Sequence, residues 1–342
     1  MKIKKTDLQE ALEIVKPGLA NKEVIEQSTS FAFMGSRVVT YNDELSISHP
    51  IDGLSIIGAV KADELYKLLS KMKGEELEIE SQGTEIIIEQ GKIKSGLTLQ
   101  AEIKLPVDSI GDMGEWTDLP EDFCKHLDFC AQVSSHDMSR PVLTCVNIRQ
   151  DGTFEASDSF RLAVCRGKEM GVPDFLLPAT LATEVVKMEP FQIATGDGWV
   201  HFRTPKETII SCRIYSEKFP DITKILQVEG EILIFPKTIS ELIDRASVFS
   251  KRAHFLDETI EITIGGKKLK VSSTSDTGWY IEETNMRYDG PEVTFGITPK
   301  LFITIFEQVQ EAGFSKDRIK FTGDDWVYVG LLRDVPVKKQ KI

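Results

Sequence analysis

Three stretches of the chain begin alike. "TDLQEALEIV" from Thr6, "PEDFCKHLDFCAQV" from Pro120 and "PKTISELIDRASVF" from Pro236 start 114 and 116 residues apart, close to one third of the 342 residues. A fixed long period is the strongest constraint a sequence places on architecture, because each copy must adopt the same supersecondary unit. Apolar residues recur at helical spacing in each, as in Leu8, Ala11, Leu12 and Val15, or Ile239, Leu242, Ile243 and Ala246. Asp7 in a first turn, and proline opening the other two segments, favour helix initiation.

A second helical segment recurs as "KADELYKLLSKM", "PATLATEVVKM" and "PKLFITIFEQV", and strand-like runs follow each. Between first and second helices lie hairpins such as "TIEITIGGKKLKVSS", with Gly265 and Gly266 at its turn. The runs "KIKSGLTLQ" and "TIISCRIYS" supply a third strand after the second helix, and the third copy shows no counterpart to them. Proline-bearing connectors beginning at Leu105 and Phe219 place the cuts near residues 113 and 228. The expected organisation is α+β in three tandem domains, 1–113, 114–228 and 229–342, each with two helices covering one face of an antiparallel sheet.

The balance of 41% hydrophobic and 28% charged residues is that of a soluble globular protein. No apolar signal core follows the basic opening residues, and no run of 18 apolar residues occurs, so no membrane span and a cytoplasmic location are expected. Five cysteines without a C-x-x-C pair, all in apolar stretches, read as buried thiols. The five histidines lack metal-ligand spacing, and neither a phosphate loop nor a nucleophile elbow appears, so no cofactor and no enzymatic activity are expected. His136 and Asp137 in "SSHD" are sequence neighbours, which seldom face each other usefully. A formal charge of −13 disfavours nucleic acid unless the basic residues gather on one face.

One stretch, "EASDSFRLAVC" (155–165), sets polar residues and an aromatic into a strand-like alternation. Hydroxyl and carboxylate side chains here are suited to bonding nearby backbone and shaping a turn. At this point the sequence resembles the bacterial DNA polymerase III beta sliding clamps, whose second domain carries a Thr-Asp-Gly-His-Arg-Leu-type motif. Ser157, Asp158, Ser159, Phe160, Arg161 and Leu162 stand in its place, with Asp158, Arg161 and Leu162 matching and Phe160 replacing the histidine. "FPDITKIL", "KLKVSSTSDTGWYIEE" and "MRYDGPEVTFGITPKLF" are similar to further segments of that family, in the same order along the whole chain.

The resemblance implies a DNA-clamp fold in which two chains pair head to tail as a homodimeric ring around duplex DNA. Such a processivity factor holds DNA without reading sequence, and tethers the replicative polymerase, clamp loader and other partners through short peptide motifs. By matching position, the peptide pocket between second and third domains involves Arg140, Leu143, Ser157, Asp158, Phe160, Arg161, Leu162, Pro220, Lys224, Ile225, Thr298 and Leu301. Placing "KADELYKLLSKM" on a helical wheel sets Lys67 and Lys71 opposite the apolar arc, and the resemblance turns that face toward DNA. Lys16, Lys22, Arg140, Lys187, Lys251 and Arg252 are further DNA-facing candidates, and Leu99, Val248 and Phe249 are candidate dimer contacts. The ending "LLRDVPVKKQKI" departs from the family's Met-Pro-Met-Arg-Leu-like tail. This keeps open an alternative, a clamp-like structural protein that has lost DNA or peptide binding.

Overall fold

In the computed structural model, which describes residues 1–335, one order of elements occurs three times: strand, helix, four strands, helix, three strands. The first copy runs from Lys2–Lys4 to Ile93–Thr98, with helices Lys5–Val15 and Ala62–Lys71. The second runs from Thr117–Asp118 to Ile209–Arg213, with helices Phe123–Ala131 and Ala179–Met188. The third runs from Glu231–Ile234 to Trp326–Leu331, with helices Ile239–Ser247 and Pro299–Gln308. The expected cuts at 113 and 228 fall in the connectors between copies. Helices Phe123–Ala131 and Ile239–Ser247 begin three residues after the prolines expected to open them, because Phe123 and Ile239 first donate to the carbonyls of Pro120 and Pro236 in a turn.

Each helix buries the stripe its spacing marks out: Leu8, Ala11, Leu12 and Val15 in one case, Ala62, Leu65 and Leu69 in another. Burying a leucine or phenylalanine side chain stabilises by about 1.5–3 kcal/mol, so these stripes outweigh the modest propensities of the short helices.

The described chain divides into two compact units that do not follow the copies. The first comprises 1–131, 146–152 and 168–217; the second comprises 132–145, 153–167 and the chain from 218 onward. In the first unit, strand Leu45–Pro50 of copy one pairs antiparallel with Ile209–Arg213, the last strand of copy two, with Ile47 opposite Ile210. One eight-stranded sheet results, with Trp199 and Tyr41 packed in the core beneath it. In the second unit, Arg161–Arg166 pairs with Trp326–Leu331, the last strand of copy three, with Ala163 opposite Tyr328. Phe302, Phe306, Phe321 and Tyr328 form an aromatic cluster there. The copies therefore join by one rule: the third of the four strands between the helices of one copy pairs with the last strand of the next.

Two expectations are corrected. Three strands, not two, follow the last helix, because Glu311–Phe314 pairs with both Glu231–Ile234 and Arg318–Thr322. Its sequence, "EAGF", is short and contains Gly313, so no alternation announced it. Leu99 is 3% exposed, with its side chain against Gly58, and packs within its own chain instead of facing a partner.

Candidate binding cleft

The hairpin of Thr153–Ser157 and Arg161–Arg166 is held by the polar residues at its tip. Asp158 Oδ1 accepts the backbone N–H groups of Phe160 and Arg161, both at 2.9 Å, and Oδ2 accepts Arg161 Nε at 2.9 Å. Ser157 Oγ donates to the Arg161 carbonyl at 2.8 Å, and Ser159 takes a left-handed φ of 74°. In the first copy Asn42 Oδ1 accepts from Glu44 and Leu45 in the same manner, and in the third Ser275 Oγ accepts from Thr277. A side-chain acceptor therefore caps this turn in all three copies, supplied by Asn42 in the first, by Ser157 and Asp158 in the second and by Ser275 in the third. What distinguishes the second copy is the side chains presented: Phe160 where copy one has Glu44, and Arg161 where it has Leu45.

Beside this hairpin lies a cleft of about 980 Å³, formed wholly by the second unit. The loop through His136 and Arg140 makes one wall, the hairpin tip a second, and His254 to Leu256 with the start of helix Pro299–Gln308 the rest. Phe160 is 40% exposed into it. Two cations stand on the rim: Arg140, whose Nη1 donates to Ser159 Oγ at 3.3 Å, and Lys300, whose Nζ lies 4.8 Å from the centre of the Phe255 ring. Hydrogen bonds from Ser139 hold the Asp137 carboxyl below its usual pKa. Behind the wall, Arg161 Nη2 donates to the Gln132 carbonyl at 2.6 Å, and the buried Tyr328 hydroxyl donates to the Leu301 carbonyl. Burial pushes that hydroxyl's pKa well up, so it stays a donor. A cleft of this mixed lining, with Leu143, Phe160, Phe255 and Leu256 among polar side chains and two cations beside them, suits an extended peptide carrying an apolar anchor.

Of the residues expected at the pocket, Arg140, Leu143, Asp158, Phe160, Arg161 and Leu301 line this cleft. Ser157 is spent on the turn, and Leu162 and Thr298 are buried in the sheet and before the last helix. Pro220, Lys224 and Ile225 are exposed around the short helix Thr223–Leu226 and do not line it. Sequence reasoning missed His136, His254, Phe255 and Lys300; only Lys300, one residue before Leu301, carried a signal. Leu331, exposed and outside the cleft lining, was not singled out either: its N–H donates to the Phe160 carbonyl at 2.8 Å and ties the last strand to the hairpin tip. The chain from Pro336 on, which includes most of the departing tail, lies outside the described residues.

Half of the eight DNA-facing candidates are paired with acids. Lys16 meets Glu13 at 3.4 Å, Lys67 meets Asp63 at 2.5 Å, Lys187 meets Glu184 at 2.7 Å and Lys251 meets Glu258 at 3.5 Å. Lys22 and Lys71 are exposed, and Arg252 donates to the Thr274 carbonyl. Arg140 stands on the cleft wall. Of the dimer candidates other than Leu99, Val248 is exposed and the Phe249 ring lies over Gly278.

No protein-family profile and no curated protein sequence matches the chain. Solved structures do. The DNA polymerase sliding clamp of Bacillus subtilis matches with a TM-score of 0.82 at 19% identity, over 98% of both chains. The beta sliding clamp of C. crescentus matches with a TM-score of 0.85 at 16% identity, over 98% of this chain and 99% of that one. The fold is that of the bacterial sliding clamps. The sliding clamp of Bartonella birtlesii, bound to griselimycin, has the same fold at a TM-score of 0.85 and 17% identity. The clamp fold thus extends over 98% of the chain, with the threefold order of elements that the repeat spacing announced.

Proposed function

We propose that this protein is a DNA sliding clamp: a non-catalytic, cytoplasmic homodimer that encircles duplex DNA and tethers the replicative polymerase and clamp loader through peptides seated in the cleft. The observation that carries this reading is the pairing rule between copies. Applied twice within the chain, it leaves one strand of each kind unmatched, Gly278–Asn285 of copy three and Ile93–Thr98 of copy one. Matching them between two chains continues the rule and closes six copies into a ring.

The rule also yields a register. The residues bridged after each last strand are Gln100, Tyr215 and Arg333. Five residues earlier stand Ser95, Ile210 and Tyr328, of which Ile210 pairs with Ile47 and Tyr328 with Ala163. The residue of copy three matching Ile47 is Tyr280: its neighbour across the hairpin, Ser273, donates to the Ala246 carbonyl at the end of the first helix, as Thr40 opposite Ile47 donates to the Val15 carbonyl. Tyr280 of one chain therefore faces Ser95 of the other. This sets Trp279, 68% exposed, opposite Gly96, where no side chain obstructs the ring.

Helix lysines such as Lys71 then contact phosphates without reading bases, as a sliding ring requires. The test is retention on DNA after loading with a clamp loader. A clamp stays on nicked circles and runs off linear ends; equal loss from both sinks the reading.

A further inference from the structure

The first strand of each copy is the edge of its sheet, and the three copies treat that edge differently. In copy one the outward residues are Lys2, paired with Glu78 at 3.2 Å, and Lys4, opposite Glu76. In copy two they are Trp116, covered by the Arg203 guanidinium at 4.1 Å, and Asp118, which accepts from Gln192 at 3.0 Å. Charge and cover of this kind are how proteins blunt a sheet edge. In copy three the same positions hold Ile232 and Ile234, which are 62% and 60% exposed.

Their main chain is open as well. Phe235 N–H donates to the Gln310 carbonyl at 2.9 Å, just as Lys5 donates to Glu75 in copy one. Because bonded pairs alternate along an antiparallel ladder, Leu233 and Glu231 also turn inward to Glu311–Phe314. The N–H and C=O groups of Ile232 and Ile234 then point to the free edge. Gly313 lies opposite Ile232, where an added Cβ meets nothing nearer than Lys320 at 3.9 Å, so bare backbone floors the space beside the isoleucines. Glu229, Glu231 and Glu311 border the edge, and none is in an ion pair among the described residues. Lys320 is committed to the Leu226 carbonyl at 3.1 Å.

We infer that Glu231–Ile234 is a docking strand that takes up an extended segment of a partner protein, one with apolar side chains at alternate positions and lysine or arginine between them. Main-chain hydrogen bonds to the open edge provide the pairing, Ile232 and Ile234 the apolar anchors, and the three carboxylates the preference for a basic segment. The inference uses neither the cleft nor DNA, so it stands or falls apart from the clamp reading.

The experiment titrates a fluorescent hexapeptide alternating lysine and valine into the full-length protein, followed by anisotropy, with hydrogen exchange at Ile232 and Ile234 as the local readout. Binding at least tenfold weaker to the neutral Ile232→Thr/Ile234→Thr variant, and to wild type when alternate peptide amides are N-methylated, is expected. So is slowed exchange of both amides in the wild-type complex. Equal binding by that variant, or equal binding of a valine–glutamate hexapeptide, overturns the proposal. So does a wild-type solution mass that falls in the threonine variant, since a second copy then holds the edge. If the threonine variant misfolds, Ile232→Lys/Ile234→Lys, copied from the first repeat, serves in its place.

Discussion

Asp158 holds Arg161 twice, accepting its backbone N–H at Oδ1 and its guanidinium Nε at Oδ2, each at 2.9 Å. Both side chains are largely shielded from water. Asp158→Ala leaves two backbone donors and a guanidinium short of an acceptor and is expected to cost about 1–3 kcal/mol. Asp158→Asn, which reproduces Asn42, retains the backbone acceptor and costs less. Urea unfolding of the two variants beside wild type measures the difference; equal losses mean the backbone bonds do not matter.

Phe160 is exposed into the cleft, and the exposed Leu331 on the neighbouring strand donates its N–H to the Phe160 carbonyl, so each is expected to anchor a bound peptide. Phe160→Ala and Leu331→Ala should each lower the affinity of a polymerase-derived clamp-binding peptide by about 1–3 kcal/mol while leaving the melting temperature nearly unchanged. Leu162→Ala is expected instead to destabilise the protein by about 2–5 kcal/mol, since Leu162 is a core residue. Calorimetric titration with parallel melts separates the two behaviours.

Strand register between chains is open to cross-linking. Ser95→Cys and Tyr280→Cys combined in one chain should form an intermolecular disulfide on mild oxidation, seen as species above 38.4 kDa on a non-reducing gel. Neither single variant should do so. Cross-linking from Tyr280→Cys paired with Ile93→Cys instead would show that the repeat register does not carry over to the dimer.

Lys71 is exposed, and no acidic partner is seen for it among the described residues, whereas Lys67 is held by Asp63. Lys71→Glu is therefore expected to weaken DNA retention more than Lys67→Glu, with unchanged unfolding. Each lost phosphate contact should reduce the salt slope of binding by about one unit. A binding series from 50 to 200 mM salt, roughly the range over which such slopes are read, tests this.

His201 is fully buried, with Nδ1 2.9 Å from Ser211 Oγ, and burial lowers its pKa to about 4. The unfolded chain, at about 6.5, takes up the proton first, so stability should fall as the pH drops from about 6.5 toward 4. The loss is at most on the order of 3 kcal/mol, at about 1.36 kcal/mol per pH unit. His49, also lowered chiefly by burial, adds to the same window. Urea midpoints between pH 7 and pH 5 should decline in wild type and decline less in His201→Asn.

The sequence by itself determined the threefold repeat, the faces of Ala62–Lys71 and Ile239–Ser247, and the turn role of Ser157 and Asp158. Each depends on neighbours within a few residues or on a period that any copy reveals. The strand Glu311–Phe314 was invisible because Gly313 breaks its alternation, and only pairing on both sides makes it a strand. Leu99 looked like any other apolar residue at the end of a strand; packing against Gly58 in a distant strand decided that it is core. The cleft was half legible. Arg140, Phe160 and Arg161 lie in a motif, whereas His254 and Phe255 reach the same cavity from about 90 residues away through tertiary packing that no local pattern encodes. The open edge at Ile232 and Ile234 has the same cause: the alternation shows two isoleucines on one face, but whether that face meets a core, a lysine or water is settled only when the sheets assemble.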